Sequence, residues 1–90
     1  MPKYLIEVPH GDDKVECAMA VQAFLTNGSH FVANAEWGCS DGEHKGWLLL
    51  EADSKDLAQS VVPPSLRPQA KIVELERFSM QDVDKVLNHH

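Results

Sequence analysis

The chain has 90 residues, 43% hydrophobic and 24% charged, with eight Lys and Arg against fourteen Asp and Glu, a formal charge of −6. That length buries roughly 65% of its extended surface on folding, enough for one two-layer core, so a single domain is expected over residues 1–90. The composition argues against disorder, the short apolar runs against a bilayer span, and eight scattered basic residues on an acidic chain against nucleic acid or an anionic membrane as partner.

Residues 3–8, Lys-Tyr-Leu-Ile-Glu-Val, are strand formers stopped by Pro9-His10-Gly11, which predicts a first strand and a turn. Asp13 with Glu16 three residues later is a capping-box arrangement and opens a helix running to about residue 26, where Asn27-Gly28 ends it. Cys17, Ala18, Val21, Phe24 and Leu25 have the spacing of a sheet-facing stripe, and Val15, Met19 and Ala23 form a second strip beside it. Residues 30–37 alternate as a second strand. The turn Gly38-Cys39-Ser40-Asp41-Gly42 leads into a third strand over 43–51, making a hairpin. Asp53 or Ser54 caps a short second helix with the stripe Leu57, Ala58, Val61, ended by Pro63-Pro64. Residues 69–78 read as a fourth strand. Ser79 with Asp82 then caps a terminal helix whose stripe is Val83, Val86 and Leu87, with His90 as a further member; His89 and His90 are given no functional role.

The order strand, helix, strand, strand, helix, strand, with right-handed crossovers, predicts an α+β domain. Its form is the ferredoxin-like split βαββαβ antiparallel sheet, order 4-1-3-2, with two helices on one face and an extra C-terminal helix. The strands carry large apolar groups on both faces, too many to leave one face wet in a monomer. A homodimer or higher oligomer is therefore expected, with the terminal helix covering part of the remainder. The N-terminus lacks the basic start and long apolar stretch of a signal peptide, and two cysteines are too few for a disulfide framework. A soluble cytoplasmic protein with free thiols is expected.

The layout resembles the small stand-alone ferredoxin-like proteins that pair as dimeric α+β barrels, a group that includes muconolactone isomerases and small monooxygenases. More distantly, it is similar to a compact nickel-binding ferredoxin-like family. The strings Trp37-Gly38-Cys39-Ser40-Asp41-Gly42-Glu43-His44, Val62-Pro63-Pro64-Ser65-Leu66-Arg67 and Arg77-Phe78-Ser79 look like those of short prokaryotic proteins of unknown function. The likeness spans most of residues 3–85 and marks a fold more than an activity. It supplies no ligand set residue by residue.

Topology supplies a candidate site. In such a sheet, the end of strand one, the start of helix one, the hairpin and the loop before strand four meet at one edge. They bring together His10, Cys17, Cys39, His44 and Arg67, while His30 belongs to the opposite edge. Strands one and three are adjacent, so His10 and His44 should be closest. Six acids, Asp12, Asp13, Glu16, Glu36, Asp41 and Glu43, fall near that edge and favour a cation. Two thiols and two imidazoles suit zinc, nickel or copper(I). Each also has a passive reading: Cys17 as core packing, Cys39 as a loop thiol, His10 as a turn residue, His44 as a surface residue. Trp37 and Trp47 read as core or interface anchors. Arg67 is expected to pair with an acid at the edge or to hold a substrate carboxylate.

Three functions follow as expectations. The first is a small oligomeric protein binding a transition metal or small ligand through His10, Cys39, His44 and Cys17. The second is a cofactor-free isomerase or monooxygenase using His44 or Glu51 as proton acceptor. The third is an interaction module without chemistry.

Overall fold

A computed structural model describes residues 1–26 and 34–88. In chain order the elements are β1 (Lys3–Pro9), α1 (Lys14–Thr26), β2 (Glu36–Trp37), β3 (Lys45–Glu51), α2 (Lys55–Ser60), β4 (Lys71–Leu75) and α3 (Met80–Leu87). The four strands form one antiparallel sheet in the order β2-β3-β1-β4. Among the described residues no helix is long and apolar enough to cross a membrane.

The sheet's two faces follow from period-2 alternation. Tyr4, Ile6 and Val8 of β1 are buried, opposite Leu50, Leu48 and Gly46 of β3. Ala20 and Phe24 of α1, Ala58 of α2, Val62 and Leu66 join the same core, so α1 and α2 cover this face together. The other face carries Leu5, Glu7, Trp47, Leu49 and Leu75. It stays open, with Leu49 59% exposed. There Trp47 Nε1 donates to Glu7 Oε1 at 3.2 Å, and Lys45 Nζ lies 3.6 Å from the same oxygen.

Several elements are shorter than their sequence patterns suggest. Among the described residues the second strand, expected over 30–37, pairs at Glu36 and Trp37; residues 30–33, His30 among them, lie outside the described residues. The fourth strand, expected over 69–78, is Lys71–Leu75. At its start Pro64–Gln69 forms 3-10 turns that close with Ala70 N–H donating to Arg67 O. At its end Leu75 already sits opposite Lys3, the first residue of β1, and the next residue back is Pro2, which has no N–H to continue a ladder.

The buried side of α1 is also rotated from the expected stripe. Cys17, Ala20, Val21 and Phe24 face inward, while Ala18, Leu25, Val15 and Met19 are exposed. The small Ala20 brings the helix close to the sheet and lets Phe24 reach Trp37, ring centroids 4.9 Å apart at 80°. Of the stripe expected for α2, Leu57 is exposed, Ala58 is buried and Val61, at the helix end, packs against the core, where Val62 joins it.

Each helix start is capped, α1 by the Asp13 half of its expected capping box and α3 by a complete one. Glu16 N–H donates to Asp13 Oδ1 at 2.7 Å and Leu57 N–H to Ser54 Oγ at 3.2 Å. Asp13→Ala should cost about 1 kcal/mol in chemical denaturation, the usual value of such a cap. At α3, Asp82 N–H donates to Ser79 Oγ at 3.1 Å, and the Ser79 amide and hydroxyl both donate to Asp82 Oδ2 at 2.9 Å. Those bonds hold the Asp82 carboxyl below its ordinary range, so the cap's contribution is present from that range upward and is lost as pH falls below it through the lowered folded-state value.

The β2–β3 connection is tight. Cys39–Asp41 forms one 3-10 turn closed by Gly42 at φ 84°, a left-handed conformation that glycine adopts without strain. The Trp37 ring lies flat on Gly46 across the ladder, where an added Cβ would stand 2.7 Å from Cζ3. Gly46→Ala should therefore displace Trp37 and destabilise the domain by about 1–3 kcal/mol, as overpacking does. Denaturant midpoints and indole fluorescence check both effects.

Candidate metal centre

Four segments converge at one end of the sheet. His10 follows β1, Cys17 sits in the second turn of α1, Cys39 opens the 3-10 turn after β2, and His44 immediately precedes β3. The main chain ties the two histidines together, because His10 N–H donates to His44 O at 3.0 Å. Their ring centroids are 5.9 Å apart. Trp37 packs on the other side of His10, centroids 5.8 Å apart, so the Phe24–Trp37–His10 contacts run from the core to the site.

One ligand atom from each of His10, Cys17, Cys39 and His44 lies within 4.8 Å of the others, so the cluster could hold a metal ion. Cys39 Sγ is 3.1 Å from His10 Nε2, and Cys17 Sγ is 3.4 Å from His44 Nδ1. A tetrahedral zinc site with bonds of about 2.3 Å to sulfur and about 2.05 Å to nitrogen has S···N edges of about 3.6 Å. Those two S···N edges are already close to that length. His10 Nδ1 lies 2.8 Å from Gly11 O, a contact that assigns the proton to Nδ1 and leaves the Nε2 lone pair facing Cys39. Cys17 Sγ is 3.6 Å from that same Nδ1.

All four residues are half-buried, and a cleft of about 370 Å³ lined by Asp12, Lys14, Cys17, Cys39, Ser40 and His44 opens beside them. Both cysteines are free thiols. Burial pushes the Cys17 thiol up to about 11, reinforced by the adjacent Cys39 and by the charges of Asp13 and Glu16. In metal-free protein this lowers the Cys17 thiolate fraction at neutral pH by about two orders of magnitude, one for each pH unit of the shift. Iodoacetamide should then modify Cys17 slowly at pH 8, with a rate that climbs until the pH passes about 11. A plateau near pH 9 would contradict this.

The sequence placed His10, Cys17, Cys39 and His44 at one edge, and the structure brings them together. Arg67 does otherwise than expected: Nε donates to Val62 O at 2.8 Å and NH2 to Ser60 O at 2.9 Å. It serves the Ser60 carbonyl at the end of α2 and the Val62 carbonyl just beyond it. Glu51 is exposed at the far end of β3 from His44, about 23 Å away along an extended strand, so the two candidate proton acceptors cannot share one site. The sequence reading missed Gly11 O as the group that orients His10, because backbone acceptors leave no mark in side-chain patterns. Comparison with protein-family models, curated proteins and solved structures finds no match to this chain.

Proposed function

We propose that the protein binds a transition-metal ion through His10, Cys17, Cys39 and His44, on a ferredoxin-like α+β domain. The supporting observation is the convergence of four soft or borderline donors from four separate segments within 4.8 Å. A donor set of two thiolates and two imidazoles favours zinc, with copper(I) next and nickel after them. Four protein ligands leave no open position for a substrate, so holding the ion, rather than bond-making, is the role this set supports. The cleft at Asp12 and Ser40 gives the ion a path in and out, which suits exchange with a carrier or buffer. A reducing compartment such as the cytoplasm keeps both thiols ready to bind.

Cobalt(II) is the direct test. It should bind at one equivalent and give visible d–d bands of tetrahedral intensity with thiolate-to-cobalt charge transfer in the near ultraviolet. Zinc should displace it. Cys39→Ser should reduce the charge-transfer band and weaken binding by more than a hundredfold, since even outer-shell changes cost 10–100-fold. No stoichiometric binding, or a spectrum unchanged in Cys39→Ser and Cys17→Ser, would reject the reading. Binding also releases protons from the thiols, so affinity must rise with pH below the thiol range.

A further inference from the structure

We propose that α3 is an arm that docks on the open sheet face of a second copy of this chain, giving a twofold dimer by exchange of the two helices. This inference does not depend on the metal centre. No residue of α3 is buried, although Met80, Val83, Val86 and Leu87 line one side of it. Phe78, just before the helix, is 73% exposed. Eight residues fall short of the roughly 12–15 at which an isolated helix becomes marginal in water, so a cap alone does not account for α3. Its apolar side needs a surface.

Within one chain that surface is out of reach as the helix lies. The Cα radius of gyration is 16.0 Å and the long axis 52 Å, whereas a compact chain of ninety residues has a radius of about 12 Å. The helix projects from the body. The same chain carries the complementary surface, the open sheet face with Leu5, Trp47, Leu49 and Leu75.

Two grooves mark the contact. One, about 510 Å³, runs along α3 between Phe78, Val83, Val86 and Leu87. The other, about 360 Å³, has Leu49 and Leu75 as its floor with Lys3 and Arg77 at its rim. Both include Glu76 and Arg77, so they adjoin at the connector. A twofold axis there brings the arm of each copy to the sheet of the other with little reach. Charge agrees: Asp82 and Asp84 flank the arm's apolar side, and the sheet groove that would receive it carries Lys3 and Arg77. Nine apolar side chains a side, at roughly 60–100 Å² each, give roughly 700 Å², close to the ~800 Å² per partner of a standard interface.

Sedimentation of the full chain at micromolar concentration tests this. The wild-type protein should be a dimer. Val86→Asp on the arm and Leu49→Asp on the sheet should each give a monomer whose circular dichroism shows a folded domain, because both side chains are exposed in the single chain. Val86→Ser and Leu49→Ser, milder changes at the same positions, should weaken the dimer at least tenfold. A monomeric wild type overturns the proposal. A Val86→Asp variant that stays dimeric points to sheet-on-sheet pairing and overturns it, as a dimeric Leu49→Asp points to helix-on-helix pairing and overturns it.

Discussion

Zinc added to a hundredfold excess over its Kd should raise the Tm of the metal-free protein by about 10–20 °C. A ligand that binds only the folded state contributes about 2.7 kcal/mol at that excess, and each kcal/mol moves the Tm of a domain this small by about 4–8 °C. The four donors reach the site from β1, α1, the 3-10 turn and the start of β3, so the ion would fasten segments far apart in sequence. His10→Ala, Cys17→Ser, Cys39→Ser and His44→Ala should each remove most of the shift at the same zinc concentration. The double variant Cys39→Ser/His44→Ala should lose little more than either single one, because ligands of one ion act as a unit and their losses do not add. Without metal, the single variants should melt within a few degrees of the wild type. A wild-type Tm indifferent to zinc, or four variants that all keep the shift, would dissociate the cluster from metal.

The site was legible from the chain because topology did the work that spacing could not. His10 and His44 are 34 positions apart and form no recognisable motif, yet antiparallel pairing of β1 with β3 forces Pro9 opposite Lys45 and so sets the histidines side by side. Cys17 follows because its helix starts from the same end. What stayed hidden depends on atoms that sequence patterns do not encode. The rotation of α1 is one case: Leu25 and Ala20 are both apolar at helical spacing, and only the close approach that a methyl group permits selects Ala20 for the core. Arg67 is another, since its partners are backbone carbonyls of its own chain rather than an acid. The end of β4 is decided by its neighbour, for Leu75 exhausts the ladder that β1 offers, whatever the β-propensity of the residues beyond. The exposed α3 is the clearest departure. Its stripe was visible and its cap correct, but a stripe does not say which surface receives it, and none of its residues is buried in its own chain.

Phe24→Ala should be the most damaging single substitution in the metal-free protein. Phe24 is among the largest fully buried side chains, shares the core cluster with Ile6 and Val8, and packs edge-on against the Trp37 ring. Removing a buried phenyl costs about 3–5 kcal/mol through lost transfer energy plus the cavity left behind. A ninety-residue domain has in total about 5–13 kcal/mol, at roughly 0.05–0.15 kcal/mol per residue. The variant should therefore lose about a quarter or more of its stability, and near the lower bound it is largely unfolded at room temperature. The adjacent Leu25→Ala is the internal control: Leu25 is 63% exposed, so its truncation should stay within about 0.5 kcal/mol of wild type. Equal losses at the two positions would refute the inward line Cys17, Ala20, Val21, Phe24 and restore the stripe that includes Leu25. Because Trp37 leans on Phe24 and His10 on Trp37, the cavity should also loosen His10. Zinc affinity of Phe24→Ala, measured under conditions where it is folded, should then fall below wild type while that of Leu25→Ala does not. That second difference separates a site held in shape by the core from one that the loops build alone.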